Sequence, residues 1–281
     1  MPAALRKWLI TGVSSGLGEA LAKAVLARGD TVVGTLRKPE QTADFEALAP
    51  GRAHALVLDL RDFAGVLEKV GEAARRLGGI DVLVNNAGYG LAGALEEVSE
   101  HEAREQMETN FFGALAATQA VLPGMRAQRW GHVVNITSMA GFMGIPGMPI
   151  YSASKFALEG LGAALAAEAG ELGIRVTNVE PGALRTRWAS GNAIVRSARV
   201  IEDYQQTAGA VRGGLAKMDG RQDGDPDKAA LAIIAAVDAE RAPLHLPIHP
   251  SAWNAFKSVL QTTSEQLDDW REVSESILYE R

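Results

Sequence analysis

Trp8-Leu9-Ile10-Thr11-Gly12-Val13-Ser14-Ser15-Gly16-Leu17-Gly18-Glu19-Ala20-Leu21 decides the architecture. Its first three residues are a short, wholly apolar run, the mark of a strand buried on both faces. From Leu17 to about Arg28 apolar residues recur at helical spacing. Between strand and helix the glycines fall as Gly-x-x-x-Gly-x-Gly. Glycine admits left-handed backbone and lets main-chain N–H groups approach a ligand closely. A helix that starts at the same point adds its positive end. Strand, glycine turn and helix in this order fit a pyrophosphate, held by Gly12, Ser14, Ser15, Gly16, Leu17 and Gly18. The spacing differs from the Gly-x-Gly-x-x-Gly of other dinucleotide folds.

Working outward, short apolar runs alternate with longer helical patterns. Strands are expected at Thr31–Thr35, Ala55–Leu58, Asp81–Asn85, Gly131–Ile136, Ile174–Val179 and Leu244–Leu246. Helices are expected at about 62–76, 100–122, 151–169 and 228–239. The alternation predicts an α/β fold, a Rossmann-like doubly wound parallel sheet with helices on both faces. No linker interrupts it, so residues 1–281 read as a single domain. Residues 187–225, rich in Gly, Arg, Ser and Asp, read as a substrate flap. Residues 247–281, with a helical pattern from Trp253 onward, read as a C-terminal packing tail.

Composition excludes several classes of function. With 281 residues, 47% of them hydrophobic, the chain can bury one large core. A net charge of −6 argues against a nucleic-acid surface. The absence of cysteine rules out disulfides, zinc–thiolate sites and thiol nucleophiles. There is no apolar run of about 18 residues to span a membrane, and Trp8-Leu9-Ile10 is too short an apolar stretch for a secretory signal to be expected. A soluble, cytoplasmic protein is expected. The five histidines form no metal site: His245 and His249 are separated by Pro247, so one helical face cannot present both. Glu96-Glu97 and Asp268-Asp269 read as solvated faces.

Further motifs carry a resemblance. Asn85-Asn86-Ala87-Gly88 ends the fourth strand, Asn110 sits in Thr109-Asn110-Phe111-Phe112-Gly113, and Ser138 follows the fifth strand. Tyr151-x-x-x-Lys155 opens the next helix, and Pro181-Gly182-Ala183-Leu184-Arg185-Thr186 follows the sixth strand. With the glycine turn, this set resembles the classical short-chain dehydrogenase/reductase family from about residue 8 to residue 186. The resemblance implies hydride transfer between a nicotinamide cofactor and an alcohol/carbonyl pair. Tyr151 would be the acid/base and Ser138 would hold the substrate oxygen. Lys155 lies on the same helical face as Tyr151. It would lower the Tyr151 pKa well below 10 and hold the nicotinamide ribose, with Asn110 in the proton relay. Asn86, Ala87, Gly88, Pro181, Gly182 and Thr186 would line the cofactor, with Asp59 at the adenine.

The second strand ends Leu36-Arg37, where NAD-binding relatives place an acid; an arginine fork there suits a 2′-phosphate and predicts NADP(H). The Ser138–Tyr151 loop carries no charge, so Met143 and Met148, with Trp188 at the head of the flap, are expected to meet an apolar carbonyl or alcohol substrate. Family resemblance and the small faces at Ala114, Ala117, Ala163, Ala164 and Ala167 suggest a homodimer or homotetramer. Two other chemistries use the same fold, an epimerase- or lyase-like reaction and non-catalytic NADP sensing. Intact Ser138, Tyr151 and Lys155 favour redox chemistry.

Overall fold

A computed structural model describes residues 5–186, 188 and 193–279. The strands are β1 Lys7–Ile10, β2 Thr31–Leu36, β3 Ala53–Val57, β4 Val82–Asn85, β5 Gly90–Ala92, β6 Gly131–Ile136, β7 Ile174–Pro181, β8 Ile194–Arg196 and β9 His245–Ile248. The α-helices are α1 Gly16–Ala27, α2 Thr42–Glu46, α3 Phe63–Leu77, α4 Glu100–Met107, α5 Gly113–Gln128, α6 Pro149–Ala169, α7 Ala210–Met218, α8 Pro226–Asp238, α9 Pro250–Asp269 and α10 Arg271–Glu275.

Seven strands form one parallel sheet in the order β3-β2-β1-β4-β6-β7-β9. Alternate residues of each strand point to opposite faces, which explains why the strands are apolar throughout. Trp8 and Ile10 enter a core with Leu21 and Val25 of α1 and Ile233 of α8. Leu9 and Leu83 enter the other, with Val66 of α3, Met125 of α5 and Leu165 of α6. The chain reverses its direction of winding between β1 and β4, which opens a crevice at the carboxyl ends of these strands. The expected sheet and its single-domain Rossmann-like form are present, with strand ends shifted by one or two residues.

Other features depart from the sequence reading. The single helix expected over 100–122 is α4 and α5 joined by a π-helical turn, Glu108–Phe112, which holds Asn110. An inserted residue of this kind often marks a functional position. Asn85, Asn135 and Asn178 lie in register on β4, β6 and β7. Their side chains link at 2.9 Å and 2.9 Å, and Thr118 accepts a further bond from Asn85 at 3.0 Å, so this polar row is hydrogen-bonded within the core. β5 and β8 form a separate parallel pair. Three residues each, they are too short for a periodic signal.

Glu97 is not on a solvated face. It is 2% exposed and ion-paired with Arg212 of α7, because the chain after β8 folds back over it. The last strand runs to Ile248 instead of ending at Leu246. The tail packs through Ala252 and Phe256, the latter stacked on Phe142 with centroids 3.8 Å apart. Past Phe256 most side chains are exposed. Among the described residues no helix is long and apolar enough to cross a membrane.

Candidate active site

The crevice is a cleft of about 800 Å³. Its floor is the glycine turn. Gly12 and Gly16 have φ of +72° and +62°, conformations that a side chain would strain. Gly18 is required by space: a Cβ there would stand 2.3 Å from the Gly12 carbonyl oxygen and 2.4 Å from Asn86 Nδ2. The turn is tied from both sides. Asn86 Nδ2 donates to the carbonyls of Thr11 (2.9 Å) and Gly12 (3.0 Å). Gly12 N–H donates to Thr35 Oγ1 at 2.9 Å. Ser15 heads α1 without a side-chain capping bond, and Gly16 and Leu17 line the cleft. An uncapped helix N-terminus against a glycine floor suits an anion, so these residues fit the pyrophosphate of a dinucleotide.

One end of the cleft is bounded by Leu36, Arg37, Asp59 and Arg61. Arg37 is exposed at the end of β2. Arg61 grips Asp59 through Nη2 (2.7 Å) and Glu105 through Nη1 (2.7 Å). Its hydrogen bond to Asp59 holds that carboxyl below its usual range. Arg61 escaped the sequence reading, because its role depends on Glu105, brought over from α4.

At the other end stand Ser138, Tyr151 and Lys155, all on the cleft wall. β6 leads into Ser138 and the first turn of α6 delivers Tyr151, both onto the cleft wall. Ser138 Oγ accepts from Ala140 N–H at 3.1 Å, leaving its proton to donate. Lys155 Nζ stands 5.8 Å from the Tyr151 ring centroid and donates to the Ile136 carbonyl at 2.8 Å.

The electrostatics differ from the expectation that Lys155 draws the Tyr151 pKa well below 10. Burial pushes the Tyr151 phenol up to about 12, with the Ser138 hydrogen bond opposing. Burial also pushes Lys155 down to about 8, with the Glu159 carboxylate opposing. Both groups are desolvated, which disfavours the charged form of each. Tyr151 therefore holds its proton at neutral pH.

Asn110 lies behind the wall, 1% exposed. Its amide donates to Tyr89 O (3.0 Å) and Ser154 Oγ (3.1 Å), and its Oδ1 accepts from Tyr89 N–H at 3.1 Å. Gly88 is the thin point: a Cβ there would be 3.0 Å from Asn110 Oδ1 and 3.6 Å from Lys155 Nζ.

Ala87, Pro181, Gly182 and Thr186 all border the cleft, as does Trp188, whose ring centroid is 5.6 Å from that of Tyr151. Residues 187 and 189–192 of the expected flap lie outside the described residues. Met143 is not on the cleft wall, and Met148, 2% exposed, packs behind Tyr151. Within the uncharged loop Gly147 and Met148 are buried while Gly144 and Pro146 are exposed, and the apolar wall is instead supplied by Tyr89, Val195, Leu215 and Met218. Sequence spacing holds no signal for these, since β8 and α7 reach the cleft only through the chain's path. Glu159, Glu180 and His245 also gather, their ligand atoms within 4.8 Å of one another. Burial and the neighbouring Glu159 push Glu180 up to about 9, so the pair retains a proton.

The short chain dehydrogenase family model matches residues 6–193. Oxidoreductase BOA17 of Botryotinia fuckeliana is 36% identical over 95% of this chain and 97% of its own length. The 3-ketodihydrosphingosine reductase of Bacteroides thetaiotaomicron is 42% identical over 70% of each chain. A solved short-chain dehydrogenase from Streptomyces avermitilis superposes with a TM-score of 0.91 at 40% identity, covering 98% of this chain and 99% of that one. ElxO, solved with NADP bound, gives 0.73 at 25% identity, covering 89% and 100%. Glycine turn, Ser138, Tyr151 and Lys155 meet in one cleft, and the chain belongs to the short-chain dehydrogenase/reductase family of nicotinamide-dependent oxidoreductases.

Proposed function

We propose that this protein reduces the carbonyl of a fairly apolar substrate, reversibly, with NADP(H). The observation that carries the reading is a buried Tyr151 phenol that keeps its proton beside Ser138 and Lys155, under a chamber walled by Trp188, Val195, Leu215 and Met218. A bound nicotinamide supplies the hydride. Ser138 donates a hydrogen bond to the substrate oxygen and orients it. Tyr151 passes its proton to that oxygen as charge develops, a general-acid step. The Lys155 ammonium stabilises the phenolate left behind, and Asn110 holds the Tyr89 backbone in place beside it. In oxidation the phenolate takes the proton back.

The NADP preference rests on Leu36 in place of an acid and on Arg37, exposed at the mouth of the cleft, while Asp59 is engaged by Arg61. The apolar chamber, together with a relative named 3-ketodihydrosphingosine reductase, supports a lipid-like carbonyl. Lack of cysteine suits a reducing cytoplasm. Exposed Phe112 at the head of α5, with Phe156, Ala163, Ala164 and Ala167 exposed on α6, suits pairing of copies through these two helices, whereas Ala114 and Ala117, expected on the same face, are buried and take no part.

Tyr151→Phe tests the chemistry. It keeps the ring and its packing and removes the proton, so NADPH should still bind while the reduction rate falls by about 10²–10⁴. Turnover near the wild-type rate with NADPH bound refutes the assignment.

A further inference from the structure

Glu97 is a charged side chain buried where the sequence suggested a solvated one, and the proposed chemistry does not use it. Its carboxylate is fully taken up. Oε2 accepts from Ala94 N–H at 2.7 Å and from Arg212 Nη1; Oε1 accepts from Ile201 N–H at 2.8 Å and from Arg212 Nη2 at 3.4 Å. Ser197 Oγ donates to the Glu97 carbonyl. One residue after β5 thus holds three points of the segment 194–218: Ser197 just after β8, Ile201, and Arg212 on α7. The opposite side of that segment is the chamber. Val195, Leu215 and Met218 line the cleft, and Val211 and Leu215 pack against Tyr151 and Met148. Arg212 pairs with Glu97 alone among the described residues, and neither side chain reaches the cleft.

We infer that Glu97 and Arg212 are positioning residues that clamp the chain from β8 through α7 over the reacting centre and so set the fit of the substrate's apolar portion. This rests on the chamber being where that portion lies. The pair suits the task. Two charges out of water are held only by close mutual geometry, and Glu97 adds two backbone N–H bonds that fix where Ile201 and Ala94 stand. Burial desolvates both partners, so the clamp resists salt better than an exposed pair would. Neither Glu97 nor Arg212 lines the cleft with Ser138, Tyr151 and Lys155; the clamped segment meets Tyr151 only through the apolar side chains Val211 and Leu215. Tyr151 and Lys155 are carried by α6, so loosening the pair moves one apolar wall of the chamber and leaves the polar groups of the chemistry in place.

The test uses the full chain with a long-chain methyl ketone and acetone as substrates, and NADPH. Single removal of either partner strands the other charge in the interior, so the main variant is Glu97→Gln with Arg212→Met, which removes both charges and keeps bulk. Hydrogen exchange over 194–218 should quicken. KM for the long-chain ketone should rise about tenfold, the order expected when a positioning contact is loosened. Acetone KM, kcat and NADPH affinity should each stay within about twofold, since they do not depend on that wall. Arg212→Lys, which keeps the charge, should recover most of the long-chain KM. Unchanged exchange over 194–218, or equal KM changes for both ketones, overturns the clamp. The exchange arm needs no turnover, so if Tyr151→Phe disproves the reductase reading, the clamp is still tested on its own.

Discussion

Gly18→Ala tests the glycine turn with a magnitude that can be worked from coordinates. The added Cβ would stand 2.3 Å from the Gly12 carbonyl oxygen and 2.4 Å from Asn86 Nδ2, where ordinary contact begins at 3.4 Å. Neither neighbour can yield freely. The oxygen is backbone, and Asn86 Nδ2 is donating to Thr11 and Gly12 at 2.9 Å and 3.0 Å. Relief of about 1 Å must displace the Asn86 side chain, losing both bonds at about 1 kcal/mol each, or shift the turn. With about 1–3 kcal/mol for overpacking, the loss of stability is about 3–5 kcal/mol. For a chain of this size that lowers Tm by roughly 10 °C. The same shift misplaces the N–H groups of the turn, so NADPH should lose most of its stabilising effect on the melt.

Differential scanning fluorimetry with and without NADPH measures both effects. Gly213→Ala is the control. It lies exposed on α7 with nothing within 4 Å of the added carbon, and alanine in a helix gains up to about 1 kcal/mol. A Gly18→Ala protein that melts within a degree of wild type and keeps its NADPH response refutes the view that the Gly12–Asn86 contact requires glycine at position 18.

Other outcomes follow from the same geometry. Arg37→Ala should weaken NADPH by about 1.5 kcal/mol, the lower end for a charged hydrogen bond because Arg37 is exposed, and leave NADH unchanged; equal loss for both cofactors in titration would remove Arg37 from the 2′-phosphate. In reduction, kcat/KM should fall as pH rises through about 8, where Lys155 loses its charge, since Tyr151 keeps its proton to about 12. A pH profile flat through that range would show that the lysine charge does not assist the step. Light scattering at micromolar concentration should give at least twice the 29.7 kDa chain mass; a monomer there would rule out pairing through α5 and α6.

The legible part of the site was local. The glycine turn, Tyr151-x-x-x-Lys155 and Ser138 at the end of a strand each depend on residues close in sequence, whose geometry follows from the element that carries them. Arg61 was not legible because its meaning lies in Glu105, a partner on another element. Met148 was misread as a substrate contact because an uncharged loop looks the same whether it faces a cavity or the core. Asn110 was picked out by its motif, yet the π-helical turn that sets its depth has no periodic signature of its own.

By itself the sequence determined the chain order of the seven sheet strands and the main helices between them, the doubly wound parallel sheet and the position of the glycine turn. Apolar period, glycine spacing and helix starts act over a few residues and survive without knowledge of neighbours. Only the tertiary structure decided how the site is charged and closed. The Tyr151 phenol is held up, Lys155 is held down, and Glu97 is buried against Arg212 across 115 positions of chain. These are matters of desolvation and of long-range partners, and a side chain's dielectric surroundings exist only once distant segments have packed around it.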